Sequence, residues 1–153
     1  MINKRVESMA EALQGIKDGD VLLIGGFGTS GQPTELLAGV LELGARDLTL
    51  VANNTTMGND IVADLMRANR VRKCICSFPR GLLGKTIFDE LYSAGKIELE
   101  LVPQGTLAER IRAGAVVPGP EPQRFLLEIQ FRGDRRTLLG TRTLEIVIPG
   151  IDG

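Results

Sequence analysis

Apolar segments recur along the chain at near-equal intervals, starting near residues 21, 47, 73 and 97, and a helical pattern follows each. This rhythm is the strongest constraint on the fold. Val21 to Ile24 is a short continuous apolar run, the pattern of a strand buried on both faces. "DLTLVAN" (47–53), "KCICSF" (73–78) and "IELELV" (97–102) are the next strands, and the last alternates so that Glu98 and Glu100 share a polar face. Three sets of residues between them repeat at helical spacing: Leu36, Leu37, Val40, Leu41 and Leu43; Ile61, Val62, Leu65 and Met66; Ile87, Phe88, Leu91 and Tyr92. Val6, Met9, Ala10, Leu13 and Ile16 predict an earlier helix over 5–16. Pro33 suits a helix start, and Gly44 and Gly95 suit helix ends. Thr106 to Glu109 has the capping-box pattern and opens a last helix. Strands alternating with helices imply an α/β fold, a largely parallel sheet with helices on its faces. Ligands in such folds bind beyond the carboxyl ends of the strands, where loops 25–32, 53–59 and 103–106 fall.

The rhythm stops after about Gly114. "AVVPGPEPQ" reads as a linker or irregular loop, "RFLLEIQF" and "TLEIVIPG" read as strands, and "RGDRR" as a polar turn. A chain of 153 residues is long enough for one domain with a real core. The net charge of −1 without any block of like charge, and only 4% aromatics, give no support to a nucleic-acid or membrane-surface partner. No apolar run reaches the roughly 20 residues of a membrane helix, and "MINKRVESMAEAL" lacks a signal peptide's apolar core, which points to the cytoplasm. Cys74 and Cys76, two apart in a strand, are poorly placed to pair with each other and read as reduced core residues. There is no histidine, so histidine triads and histidine-based metal sites are excluded, and no metal is expected.

"DGDVLLIGGFGTSGQP" (18–33) carries the main functional signal. A tight strand-to-helix turn would use its glycines for unusual dihedrals. A dinucleotide fingerprint fits Gly26, Gly28 and Gly31, but that motif expects an acidic residue at the end of the next strand, where Asn53 and Asn54 stand instead. The whole stretch supplies a third reading. Asp18, Gly19, Gly25, Gly26, Phe27, Gly31 and Pro33 resemble the signature of the family I coenzyme A transferases, specifically their A-type subunits. "YSAGKIELELVPQGTLAERIRAG" (92–114) and Asn53-Asn54 resemble the same subunits, and "CSFPR" (76–80) resembles their 3-oxoadipate and acetoacetate branches.

The resemblance covers 1–114 and implies a NagB/RpiA/CoA-transferase-like fold, incomplete at the C-terminus. It implies an A-type subunit that works with a B-type subunit, as A2B2, on coenzyme A thioesters and carboxylic acids, with no tightly bound cofactor. Such enzymes move coenzyme A from succinyl-CoA to a 3-oxoacid, 3-oxoadipate above all, through a glutamyl-CoA thioester on the B-type partner. Acetoacetate or short-chain fatty acid transfer is the nearest alternative, and a non-enzymatic ligand-binding α/β domain is the rival from another class. The nucleophilic glutamate has no counterpart here: Glu35, Glu42, Glu90 and Glu109 fall on predicted helices, with Glu109 read as a cap. By resemblance Gly25, Gly26, Phe27, Gly28 and Gly31 line the thioester, while Asn53, Asn54, Gln104 and Gly105 supply donors to the oxyanion or substrate carboxylate. Arg80 is a candidate for an acidic substrate. Residues 115–153 carry no resemblance; a reading-frame change, a truncated gene or a divergent tail would each produce the switch.

Overall fold

The computed structural model describes residues 6–79, 84–116, 124–129 and 142–147. Four parallel strands form its centre: β1 (Val21–Ile24), β2 (Leu48–Asn54), β3 (Val71–Phe78) and β4 (Glu98–Leu101). Helices α1 (Met9–Ala12), α2 (Thr34–Leu43), α3 (Ile61–Arg67), α4 (Ile87–Ser93) and α5 (Gln104–Val116) precede, link and follow them. Two more strands, β5 (Arg124–Ile129) and β6 (Arg142–Val147), extend the sheet to the order β4-β3-β2-β1-β5-β6. β5 runs parallel to β1 and β6 antiparallel to β5. The tail therefore does form the two strands its sequence predicts, and the first of them joins the parallel array.

Alternation along the strands divides the core. Leu22, Ile24, Leu48, Leu50 and Cys74 point to one face, where they pack with Leu36, Leu37 and Val40 of α2, Val62, Leu65 and Met66 of α3, and Phe88 of α4. Leu23 and Val51 point to the other face and meet Val102 and Leu107. Val21, Ile75 and Ile111 complete that smaller cluster, so α5 alone of the described helices covers it.

Local signals set most of the boundaries. α2 begins just after Pro33 and ends on Gly44. Asp60 caps α3 by accepting from the Ala63 N–H at 2.9 Å, and it also ties down Thr56 and Met57. Two expectations need correction. The first helix spans only Met9–Ala12 rather than 5–16, with Ser8 as its cap and a turn at Leu13. The capping box at Thr106 to Glu109 does not form, because α5 already starts at Gln104. The Glu109 carboxylate instead takes both Nε and Nη2 of Arg112, at 2.9 and 2.6 Å. The capping box sits at α4, where the Asp89 carboxylate accepts from the Thr86 N–H at 2.8 Å and its hydroxyl at 3.0 Å.

Candidate functional site

Because β1 to β4 are parallel, the loops that follow them gather along one edge of the sheet. The loop after β1 is a closed turn. Phe27 and Ser30 exchange backbone hydrogen bonds at 3.0 and 3.1 Å. Gly26 has φ +110, and a Cβ there would come within 2.9 Å of the Ser30 carbonyl and 3.0 Å of the Gln32 nitrogen. Only glycine fits that backbone and that space. The turn leaves Phe27 70% exposed, while Gln32 and Pro33 beneath it are buried.

The neighbouring strand holds this turn. Asn54, the last residue of β2, accepts from the Gly28 N–H through Oδ1 at 3.0 Å. Asn54 is only 7% exposed. Its Nδ2 has no hydrogen-bond partner among the described residues. A cavity of about 10 Å³ adjoins it, walled by Ile24, Leu50, Val62, Cys74 and Cys76. Both thiols are free and buried. Burial pushes Cys74 up to about 12, with the neighbouring Cys76 adding to the rise, and pushes Cys76 up to about 11 against a backbone hydrogen bond from Phe78 that lowers it. These are inert core thiols, as their spacing predicts.

Asn53 lies one residue earlier and so on the opposite face, half-buried, on the side that α5 covers. The register that pairs Ala52 with Cys76 and Asn54 with Phe78 sets Asn53 beside Ser77, whose hydroxyl is buried and unpartnered among the described residues. Sequence reasoning missed Ser77; its spacing of two from Ile75 was the available signal. Gln104 is the exposed first residue of α5, and a Cβ on Gly105 would meet nothing within 4 Å. Three strand spacings, about 14 Å, separate β1 from β4. The structure thus joins the glycine turn to Asn54 directly, and places Asn53, Gln104 and Gly105 on the same edge without a side-chain hydrogen bond to that turn among the described residues. Arg80 lies outside the described residues. Met57, Gly58 and Asn59 belong to a loop built around Asp60 and Arg67.

No group of three or more His, Cys, Asp or Glu among the described residues is arranged to hold a metal ion. Nor is any described helix long and apolar enough to cross a membrane. The arrangement offers backbone N–H groups, carboxamides and a hydroxyl, which suit hydrogen bonds to a carboxylate or an oxyanion.

The family model described as coenzyme A transferase matches residues 6–124. The chain belongs to the coenzyme A transferase family. The A-type subunit of a 3-oxoadipate CoA-transferase from Pseudomonas putida is 57% identical over 113 residues, covering 74% of this chain and 48% of that protein. The mitochondrial succinyl-CoA:3-ketoacid coenzyme A transferase 2A of Rattus norvegicus is 42% identical over 105 residues, 68% of this chain and 19% of that one. The chain therefore spans about half the length of the bacterial relative and a fifth of the mitochondrial one. Among solved structures, the glutaconate coenzyme A-transferase from Acidaminococcus fermentans superposes with a TM-score of 0.60 at 22% identity, covering 83% of this chain and 39% of that one. At that identity the likeness speaks for the fold alone.

Proposed function

We propose that this chain is the A-type subunit of a two-subunit 3-oxoacid CoA-transferase, with succinyl-CoA as donor and 3-oxoadipate as acceptor. The observation that carries the reading is the Gly-Gly-Phe turn held against the end of β2, within a chain 57% identical to the corresponding subunit of a 3-oxoadipate CoA-transferase. The nucleophile is a glutamate of the B-type partner. Its carboxylate attacks the donor thioester, expels the coenzyme A thiolate and forms a mixed anhydride. The thiolate then attacks the glutamyl carbonyl and releases succinate, leaving the glutamyl-CoA thioester. The acceptor acid reverses these steps to leave as its own thioester.

Each attack places negative charge on a carbonyl oxygen, which preorganised N–H donors stabilise. In this reading Gly25, Gly26, Phe27, Gly28 and Gly31 form the wall along the thioester. Asn53, Gln104 and Gly105 face the reacting carboxylates, and Asn54 stands behind the wall. Coenzyme A enters and leaves as substrate, with no resident cofactor. Residues 1–114 form the transferase core and 115–153 a tail of different character. The two kinds of subunit form an A2B2 assembly in the cytoplasm.

The test is co-expression with a B-type partner, followed by a transfer assay with succinyl-CoA and 3-oxoadipate. Transfer that needs both chains is the expected result. A partner that is active beside another A-type chain but silent beside this one overturns the reading.

A further inference from the structure

We infer that Asn54 is a positioning residue: its side-chain carbonyl fixes the tip of the glycine turn, and so the Phe27 side chain, without itself touching a substrate. The inference departs from the reading of Asn53 and Asn54 as a pair of donors to the substrate. Four observations carry it. The Oδ1 atom is already taken by the Gly28 N–H at 3.0 Å. The residue is buried, with only 7% of its surface exposed. The space beside it is about 10 Å³, room for no more than a water-sized group, and its walls are mostly aliphatic and thiol side chains. Asn53 points to the opposite face by strand alternation, so the two amides cannot act as one clamp.

The turn needs such a support. Its internal hydrogen bonds, between Phe27 and Ser30, close the turn on itself but do not orient it against the sheet. Among the described residues the Asn54–Gly28 bond is the side-chain hydrogen bond that ties residues 25–31 to β2. With the Ser30 and Gln32 backbone lying close on one side of Gly26 and Gly28 tied down by Asn54, the backbone of the residue between them, Phe27, is held in place although its side chain is 70% exposed. An exposed aromatic on a fixed stem presents a defined surface to whatever docks beyond the sheet edge, at less ordering cost than a free loop. The catalytic part of this inference rests on the transferase reading; the structural part does not.

The test compares the parent chain with N54A and N54D, each in the full chain. N54A removes the acceptor; N54D keeps an oxygen acceptor and gives up an NH2 that has no partner among the described residues. In N54A, hydrogen exchange at the Gly28 amide is expected to quicken about tenfold, the factor that the net worth of one hydrogen bond sets. The amides of Leu23 and Val51 keep their rates. With a B-type partner present, kcat falls about tenfold while KM stays within about twofold, the signature of lost orientation rather than lost substrate contact. N54D restores Gly28 protection and most of kcat. If N54A does not fold, titration of the carboxyl that N54D introduces decides the point: a Gly28 amide resonance that moves with it supports the inference, and a fixed one overturns it. Unchanged Gly28 exchange in N54A also overturns it. So does a kcat loss in N54D equal to that in N54A with Gly28 still protected, since the NH2 would then act on the substrate directly. If the parent chain transfers nothing beside an active partner, the transferase reading fails, and the exchange data still decide the role of Asn54.

Discussion

The two faces of the sheet are built differently. One carries α1, α2, α3 and α4 over a continuous apolar cluster that runs from Ala12 to Ile97. On the other, the described cover is α5, whose Leu107 and Ile111 pack with Leu23, Val51 and Val102. Among the described residues no ion pair joins a helix of the thick face to a strand. The thin face has such a pair: the Glu100 carboxylate of β4 takes Lys73 of β3 at 2.8 Å and Arg110 of α5 at 2.6 Å. Where apolar area is scarce, an ion-pair cluster orients the helix. Gln104 and Gly105, at the start of α5, depend on that orientation. Asn54 belongs to the thick face, and its anchoring of the glycine turn draws on the better-packed side.

Unequal cover on the two faces should show in thiol reactivity and in the cost of cavities. The largest expected effect is on thiol chemistry. With burial raising both thiols, to about 12 and about 11, alkylation of Cys74 and Cys76 at pH 8 should be at least about a hundredfold slower in the native chain than in urea. Rapid native labelling would mean that the thick face opens. Next, Leu65→Ala in the fully buried centre of α3 should cost about 3–5 kcal/mol by urea denaturation. Leu107→Ala should cost less, about 2 kcal/mol, because α5 packs against fewer side chains and can settle into the space. Equal costs would remove the distinction between the faces.

Gly26→Ala is expected to cost about 1–3 kcal/mol through its positive φ and the approach to the Ser30 carbonyl, and to displace the turn. The check is the denaturation midpoint together with the Phe27 ring resonances. The smallest effect belongs to Glu100→Gln, below about 1 kcal/mol because the ion pairs are partly exposed to solvent. Its pH dependence has a definite sign. Lys73 first, then Arg110, hold the Glu100 carboxyl below its ordinary 4.5, so its contribution is complete above that value and is lost as pH falls through the lower folded value. Glu100→Gln should flatten that part of the acid-denaturation curve, and salt should shrink the difference between the two chains.

The parallel sheet was legible because each strand is a short apolar run and each following helix has its own periodic face, both local properties. Most element limits fall within two or three residues of expectation for the same reason. The failures were also physical. Thr86 to Asp89 caps α4 with aspartate in place of the usual glutamate, whereas Thr106 to Glu109 has the right letters one turn too late, after a helix that Gln104 already begins. At the candidate site, the residue types were readable and the division of labour was not. Gly28 and Asn54 are 26 positions apart, and nothing local assigns that carboxamide to that N–H. The opposed faces of Asn53 and Asn54 do follow from strand alternation, once β2 is known to extend through Asn54.

The place of β1 in the sheet has a consequence for synthesis. One flank pairs with β2 over a short span, Val21 beside Thr49, but the other pairs with β5, Leu22 beside Arg124. The second closure spans a stretch of chain roughly four times longer, which adds about 1 kcal/mol of loop entropy. On a ribosome the first βαβ units can assemble as soon as they emerge. The strand that carries the glycine turn keeps one flank of N–H and C=O groups open until residues 124–126 have been made. A nascent chain stalled before residue 124 would therefore display, beside its candidate active-site turn, an unpaired strand edge ready to recruit any extended peptide within reach.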